Sequence, residues 1–123
     1  MPGRLTLPAR LRLRRKSDFT AAYARGRRIG DGLFALTVIL NQLGAPRLGL
    51  AVAVRAAGNA VVRNRIRRTI RESFRLHQHT LPAVDVVVSA RAGARLASAE
   101  VLRASLAALW KKVGEKCAPS QSC

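Results

Sequence analysis

Acidic residues are scarce in this sequence of 123 residues. Asp and Glu total 6, whereas Lys and Arg total 23, so the formal net charge is +17. The acids stand singly along the chain, without the spacing of paired carboxylates in acid–base or two-metal catalysis. The motifs of serine hydrolases, zinc proteases and phosphate-binding loops are missing as well. The polypeptide is therefore predicted to be a binding protein that does not carry out catalysis by itself.

Cysteine and long apolar runs are also nearly absent. The only two cysteines, Cys117 and Cys123, lie close together near the end of the sequence. A disulfide framework would distribute its cysteines through the fold. No apolar run approaches the roughly 18–20 residues that a membrane span needs. These absences predict a cytoplasmic protein with reduced thiols and no membrane segment.

Basic and hydrophobic residues are what the chain has in excess. Hydrophobic residues make up 49% of the sequence, which is enough for one folded core in a chain of this length. A compact body with so large a positive charge predicts a polyanionic partner, either nucleic acid or an anionic membrane surface. Of the basic residues 19 are Arg, whose planar fork pairs well with phosphate, although a GC-rich genome would produce the same bias.

Hydrophobic periodicity predicts a single domain in which helices pack on one small sheet. The pattern predicts a helix from the N-cap Ser17 to about Arg25, strands over 33–40, 47–54 and 84–91, and helices over 60–77 and 98–113. Because a helix connects the last two strands, they are predicted to be parallel. Residues 1–12 are predicted to be a basic flexible arm, 13–114 the domain, and 115–123 a polar tail that follows the stop residue Gly114.

The predicted helix over 60–77 is unusually basic. Six Arg fall between positions 63 and 75, against one acid, Glu72, which is placed to pair with Arg68. Like charges four residues apart destabilise an isolated helix by a few tenths of a kcal/mol per pair. Such repulsion favours a phosphate-bearing partner over the alternative of a merely solvated face.

Two of the five aromatic residues, Phe19 and Tyr23, lie one helical turn apart beside a basic run. Aromatic rings flanked by Arg bind single-stranded nucleic acid by stacking and phosphate neutralisation. Rings that only fill the core would show the same spacing. The small residues Gly49 and Ala51 similarly allow close approach of either a packed helix or a ligand.

The segment over 58–72, GNAVVRNRIRRTIRE, resembles the Arg-Asn-Arg signature of the bacterial ribonuclease P protein family. LRRKSDFTAAYARG before it, PRLGLAV just ahead of it and PAVDVVVSAR after it agree in order and spacing, so the resemblance covers roughly residues 8–113. It implies an α/β (α+β) two-layer sandwich with a mixed sheet of about four strands and a short extra strand before Leu33. It also implies a left-handed crossover, where general topology rules favour a right-handed one.

The resemblance implies a protein that binds the catalytic RNA of ribonuclease P and the 5′ leader of precursor tRNA. Leader removal would depend on Mg²⁺ held mainly by the RNA subunit, with none bound by the protein alone and no protein partner required. The residues implied to bind the RNA subunit are Asn59, Arg63, Asn64, Arg65, Arg67, Arg68 and Arg71. Those implied to bind the leader are Arg14, Arg15, Lys16, Phe19, Tyr23 and Arg55.

The sequence departs from the family pattern at three places that concern the leader. Thr37 stands where the family often has an aromatic residue, Val54-Arg55 replaces a basic pair, and Gly32 replaces a frequent Arg. Three other functions remain compatible with the composition. They are a small ribosomal or other structured-RNA-binding protein, a DNA-binding regulator that uses the helix over 60–77, and a protein-only nuclease, which the scattered acids disfavour.

Overall fold

The computed structural model describes residues 11–13, 15–53 and 57–116. Its elements are, in chain order, α1 (Lys16–Arg25), β1 (Arg27–Gly30), β2 (Phe34–Leu40), β3 (Arg47–Leu50), α2 (Ala60–His77), β4 (Val84–Ala90) and α3 (Ala99–Lys116). Short 3-10 turns cover Gln78–Thr80 and Ala92–Leu96. In these ranges no helix is both long and apolar enough to cross a membrane. The predicted order of helices and strands is confirmed.

The end of β3 and the start of α1 differ from the sequence prediction. Arg15, not Ser17, is the N-cap of α1, and its carbonyl accepts hydrogen bonds from the backbone N–H groups of Asp18 and Phe19. Arg15 makes no side-chain cap hydrogen bond, so the hydroxyl cap predicted from Ser17 is absent. β3 ends at Leu50 rather than at residue 54, because its ladder with β4 ends there apart from one bond from Ala51.

The last helix runs past the residue that was predicted to stop it. α3 continues through Gly114 to Lys116, so the predicted polar tail begins inside a helix. A glycine costs a helix only about 1 kcal/mol relative to alanine, and the buried Val113 beside it secures this turn. At the other end the prediction holds, because the backbone N–H of Val101 donates to the Ser98 hydroxyl as expected of an N-cap.

The four strands form one mixed sheet in the order β1-β2-β4-β3. β1 pairs with β2 and β2 pairs with β4, both antiparallel, while β3 and β4 are parallel neighbours joined through α2. The short extra strand and the parallel crossover unit are thereby confirmed. The left-handed sense of the crossover stays a prediction.

Residues 11–13 run alongside β3 and extend the sheet edge. Arg12 forms a parallel bridge with Leu48, and the backbone N–H of Leu13 donates to the Leu48 carbonyl at 2.7 Å. Leu11 is buried in the main core. The folded domain thus includes Leu11 and Arg12, which fall inside the range predicted to be an arm.

One face of the sheet carries the main core, which α2 and α3 cover. α2 turns an apolar stripe toward this core, because Ile66, Thr69, Ile70, Ser73 and Phe74 recur at helical spacing and are all buried. Trp110 of α3 packs edge-on against Phe74 and donates from Nε1 to the Ser73 hydroxyl at 2.8 Å. This hydrogen bond satisfies the buried indole N–H and fixes α3 against α2.

The opposite face of the sheet is covered by α1. A small second cluster there joins the buried residues Leu13, Ala22 and Val87, with Phe19 packed against it. α1 therefore lies on the side of the sheet away from α2, and the two elements implied to bind RNA are separated by the sheet.

A charge network holds α1 to the start of β3 and β4. Asp85 is buried and accepts two hydrogen bonds from the Arg47 guanidinium, at 2.8 and 2.7 Å, and one from the Asn41 amide at 2.8 Å. Asp18 of α1 lies 3.6 Å from the same guanidinium. The hydrogen bonds to Asp85 raise the pKa of Arg47 despite its partial burial, and the charges of Asp85 and Asp18 act in the same direction.

A second carboxylate shapes the β1–β2 turn. Asp31 accepts hydrogen bonds from the backbone N–H groups of Leu33 and Phe34 and from the hydroxyl of Ser105 in α3. Partial burial acts to raise the pKa of Asp31, but these hydrogen bonds outweigh it, so the pKa is lowered. Three of the six acids are thus committed to protein contacts.

Candidate nucleic-acid interface

The basic helix α2 begins at a tight turn that fixes its direction. Gly58 has a φ of 93°, and a Cβ at this position would lie 2.7 Å from the Arg95 Cδ atom. Asn59 is the N-cap, and its side-chain oxygen accepts a hydrogen bond from the Val62 backbone N–H at 2.9 Å. Asn59, implied by the resemblance to bind RNA, therefore has a definite structural role at this point.

The Arg-Asn-Arg signature points in three directions. Arg63 donates from Nε to the Val52 carbonyl at 2.7 Å, toward the end of β3. Asn64 is exposed, and Arg65 is directed to the opposite flank of α2, where its guanidinium lies 3.4 Å from the Arg95 carbonyl. Successive helical residues are rotated by about 100°, so three neighbours cannot serve one spot. The signature spans a wide surface.

Arg63, which contacts the chain just after β3, opens a row of four arginines along α2. All four are only partly exposed, whereas Asn64, Arg65 and Arg68 are exposed. The row consists of Arg63, Arg67, Arg71 and Arg75, at intervals of four residues. Partial burial lowers the pKa of Arg71, and the charges of Arg67, Arg12 and Arg68 lower it further.

The positive charge of α2 is not neutralised by neighbours. The predicted pair between Glu72 and Arg68 does not form, and both ion pairs among the described residues belong to Arg47. The charges of Arg67, Arg12 and Arg68 oppose that of Arg71, although partial burial is the larger cause of its lowered pKa. A bound anion would relieve this repulsion, which is the electrostatic signature of a phosphate-binding surface.

On the other face of the sheet, Phe19 and Tyr23 have different surroundings. Phe19 packs over Gly49, where a Cβ would lie 2.9 Å from the Phe19 Cζ atom and 3.0 Å from Leu13 Cδ1. A glycine is needed at position 49 because α1 approaches the sheet too closely there for a side chain. Tyr23, one turn later, is 54% exposed. Of the two predicted rings, Tyr23 has the surface available for stacking.

Beside α1, a stretch of the sheet carries only small side chains. Gly30 is opposite Ala35, and Ala35 is opposite Ser89. None of these three residues is fully buried. Asp18 of α1 lies near Arg47 at the start of β3, and Phe19 packs over Gly49, two residues further along that strand. The side of α1 that carries Phe19 and Tyr23 therefore faces this stretch of small residues. We call this partly exposed stretch, together with the side of α1 next to it, the cleft.

The rim of this cleft includes an arginine that sequence reasoning did not assign. A guanidinium nitrogen of Arg91 lies 3.5 Å from the position of a Gly30 Cβ, and Arg91 is exposed. The alternation of β4 contained the signal, because Arg91 follows Val87 and Ser89 at intervals of two. Arg28 of β1 is a further arginine without an assigned role, and it is exposed and opposite Thr37.

The remaining predicted leader residues are only partly described. Arg15 and Lys16 are exposed at the start of α1, whereas Arg14, Val54 and Arg55 lie outside the described residues. Thr37 is buried, and its Cγ2 would lie 2.8 Å from a Cβ on Gly26. The end of α1 therefore occupies the space that a ring at position 37 would need.

The sequence and the fold are similar to those of known proteins of one family. The family model for ribonuclease P matches residues 7–114. The ribonuclease P protein component of Yersinia enterocolitica is 42% identical over 109 residues, which cover 89% of this chain and 92% of that protein. Its counterpart from Escherichia coli O157:H7 is likewise 42% identical over 109 residues, which cover 89% of this chain and 92% of that protein.

Solved structures give the same result. The RNase P protein of Staphylococcus aureus superimposes with a TM-score of 0.79 at 32% identity, over 83% of this chain and 94% of that one. The Thermotoga maritima protein gives 0.75 at 28% identity, over 83% and 96%. The chain therefore belongs to the ribonuclease P protein family. Members of this family are the protein component of a ribonucleoprotein, an endoribonuclease that processes tRNA.

Proposed function

We propose that this protein binds the RNA subunit of ribonuclease P through α2 and the 5′ leader of precursor tRNA through the cleft beside α1. It thereby assists the endonucleolytic removal of the leader in the cytoplasm, without a second protein. The observation that carries the proposal is the presence of two cationic surfaces on opposite faces of one sheet. α2 supplies one, with exposed Asn64, Arg65 and Arg68, and the cleft with Tyr23 and Arg91 supplies the other. Two surfaces allow one small domain to contact two RNA molecules at once.

Mg²⁺ is proposed to be held mainly by the RNA subunit. Within the described ranges, no three His, Cys, Asp or Glu side chains come together in a way that could hold a metal ion. Asp85 and Asp18 are paired with Arg47, and Asp31 accepts bonds from Ser105 and the backbone. These carboxylates do not fit a Mg²⁺ site. What the protein supplies is positive charge that complements Mg²⁺ in neutralising phosphates.

The proposal is tested by reconstitution. Adding the purified protein to a bacterial ribonuclease P RNA is expected to restore accurate 5′ processing of precursor tRNA at a Mg²⁺ concentration too low for the RNA alone. The reason is that the protein's cations replace part of the charge screening that Mg²⁺ otherwise provides. Unchanged processing at every low Mg²⁺ concentration would contradict the proposal, as would cleavage by the protein without RNA.

Tyr23→Ala is expected to weaken the binding of precursor tRNA to the reconstituted enzyme and to leave mature tRNA unaffected. Stacking of a base on an aromatic side chain contributes about 1–3 kcal/mol, so the loss is expected to be at least fivefold. The measurement is the ratio of the two dissociation constants. Tyr23 is better suited to this test than Phe19, because truncation of Phe19 also removes packing against Gly49.

Tyr23→Phe is the matched control, since it keeps the ring and removes only the hydroxyl. It is expected to retain near-normal selectivity for the leader. An equal loss of affinity for precursor and mature tRNA in Tyr23→Ala would show that Tyr23 does not contact the leader.

A further inference from the structure

α1 lies across the sheet along one row of residues. Phe19, near the start of the helix, packs over Gly49 of β3. Gly26, directly after the helix, lies on β2, where a Cβ would be 2.8 Å from Thr37 Cγ2. Gly49 and Thr37 both pair with Val87 of β4. The helix therefore crosses β3, β4 and β2 in turn.

This course leaves different residues on the two sides of α1. Two residues earlier on β3 and β4 are Arg47 and Asp85, which pair with each other. Two residues further along β4 is Ser89, which is opposite Ala35 in the cleft. Because alternate residues of a strand share one face of the sheet, all four lie on the face that carries α1. α1 thus runs between the Arg47–Asp85 pair on one side and the cleft on the other.

Asp18 and Tyr23 lie on opposite flanks of α1. Ala22, which is fully buried, marks the line along which the helix contacts the sheet. With 3.6 residues per turn, Asp18 is about 40° from Ala22 in one direction and Tyr23 about 100° in the other. A rotation of the helix about its axis that withdraws Asp18 from the sheet therefore brings Tyr23 toward it. The rotation of α1 determines how far the Tyr23 ring stands above the cleft.

Arg47 is the fixed point against which this rotation is set. Its guanidinium donates two hydrogen bonds to Asp85, at 2.8 and 2.7 Å, and Asp85 also accepts one from the Asn41 amide. The nitrogen that donates the shorter bond, Nη2, lies 3.6 Å from Oδ1 of Asp18. A lysine could not replace this arrangement, because one ammonium group lacks the planar fork that engages two carboxylates from a single fixed position.

We infer that Arg47 is a positioning residue for leader binding, acting through Asp18 to hold α1 at the rotation that presents Tyr23 to the cleft. The inference rests on the proposed function, in which Tyr23 contacts the leader. Arg47 itself does not bind RNA, because its guanidinium is engaged by two carboxylates on the side of α1 away from the cleft. Selectivity for precursor tRNA therefore depends on a contact outside the cleft.

Arg47→Lys tests the inference, since it keeps the charge and removes the fork. The measurement is the dissociation constant of the reconstituted enzyme for mature tRNA divided by that for precursor tRNA. This ratio is expected to fall about threefold, within the roughly fivefold that a partly exposed ion pair can control. Affinity for the RNA subunit is expected to stay unchanged.

Asp18→Asn is the second variant, because it removes the contact to α1 and leaves the Arg47–Asp85 pair intact. It is expected to lower the ratio to a similar extent. Arg103→Lys, the same substitution at an exposed position on α3, is the matched control and is expected to leave the ratio unchanged. Equal loss of affinity for the RNA subunit, precursor tRNA and mature tRNA would indicate a merely less stable protein and contradict the positioning role.

Combination with Tyr23→Ala shows whether Arg47 acts through the ring. In a protein that already carries Tyr23→Ala, Arg47→Lys is expected to cause no further loss of selectivity, because its effect passes through Tyr23. If the two losses multiply instead, Arg47 affects the leader by another route and the inference is overturned.

The free protein supplies a readout that does not depend on RNA. Tyr23 is the only tyrosine of the chain, so incorporation of fluorotyrosine gives a single fluorine NMR signal. Arg47→Lys and Asp18→Asn are each expected to shift this signal, whereas Arg103→Lys is not. An unshifted signal in both variants would overturn the inference.

Failure of the inference is distinguishable from failure of the proposed function. If Tyr23→Ala reduces selectivity for precursor tRNA whereas Arg47→Lys behaves as Arg103→Lys does, the inference is wrong and the proposed function stands. If Tyr23→Ala leaves selectivity intact, the proposed contact between Tyr23 and the leader is wrong, and the positioning role of Arg47 fails with it.

Discussion

Asp85→Ala is expected to lower the free energy of unfolding by about 3 kcal/mol, the lower end of the cost of breaking a buried ion pair. Asp85 is 6% exposed and accepts three hydrogen bonds, two of them from Arg47. Its removal leaves the Arg47 guanidinium without its main partner, although the Arg47 side chain retains 19% exposure. The Asn41 amide loses one of its two acceptors and keeps the Ala45 carbonyl.

The measurement is denaturant unfolding of the free protein, with Asp18→Asn as the control. Asp18 lies 3.6 Å from the same guanidinium and is more exposed, so its substitution is expected to cost less than about 1 kcal/mol. Equal losses for the two variants would contradict the view that the buried carboxylate, rather than net charge, holds this corner of the sheet together. Because Asp18 belongs to α1, the network also helps to orient the helix that carries Tyr23.

Arg65→Ala/Arg68→Ala is expected to weaken binding of the RNA subunit by about 100-fold at low salt. Each lost charge-assisted hydrogen bond contributes about 1.5 kcal/mol or more, and 1.4 kcal/mol corresponds to a factor of ten. The slope of log K against log salt is expected to fall by roughly 1.4–1.8, since two phosphate contacts are lost. Both side chains are exposed, so the free protein is expected to remain folded.

Lys111→Ala/Lys112→Ala is the matched control for this pair, because it removes two exposed charges from α3. Binding is expected to change little, since general attraction over the surface is screened within about 10 Å at 0.1 M salt. If the two double variants gave the same salt slope, the contribution of α2 would be net charge alone. A difference of one or more in slope supports direct phosphate contact by α2.

Much of the interface could be predicted because helical periodicity is local. The burial of Ile66, Ile70 and Phe74 follows from their spacing, and the same spacing places the arginines on the remaining surface. The separation of these arginines into two groups was not predicted. The lowered pKa of Arg71 depends in part on the charge of Arg12, which is distant in sequence and is held beside β3 by the bridge to Leu48.

The cleft proposed to bind the leader was harder to predict, because it combines elements from both ends of the chain. Phe19 and Tyr23 have the same type of side chain and lie on the same side of α1, yet one packs over Gly49 and the other is exposed. The angle at which α1 crosses the sheet determines this difference. Arg91 joins the cleft only because β4 lies between β2 and β3, an arrangement of strands that no local pattern reveals.

By itself the sequence determined the charge, the single domain, the order of elements, the apolar stripe of α2 and the family to which the chain belongs. These features depend on composition or on residues close together in the chain, where periodicity and capping act. The tertiary structure decided which ring is accessible, which arginines crowd together and which acids are already paired. Those properties depend on contacts between distant segments, because burial and charge repulsion are set by whichever elements the fold brings side by side.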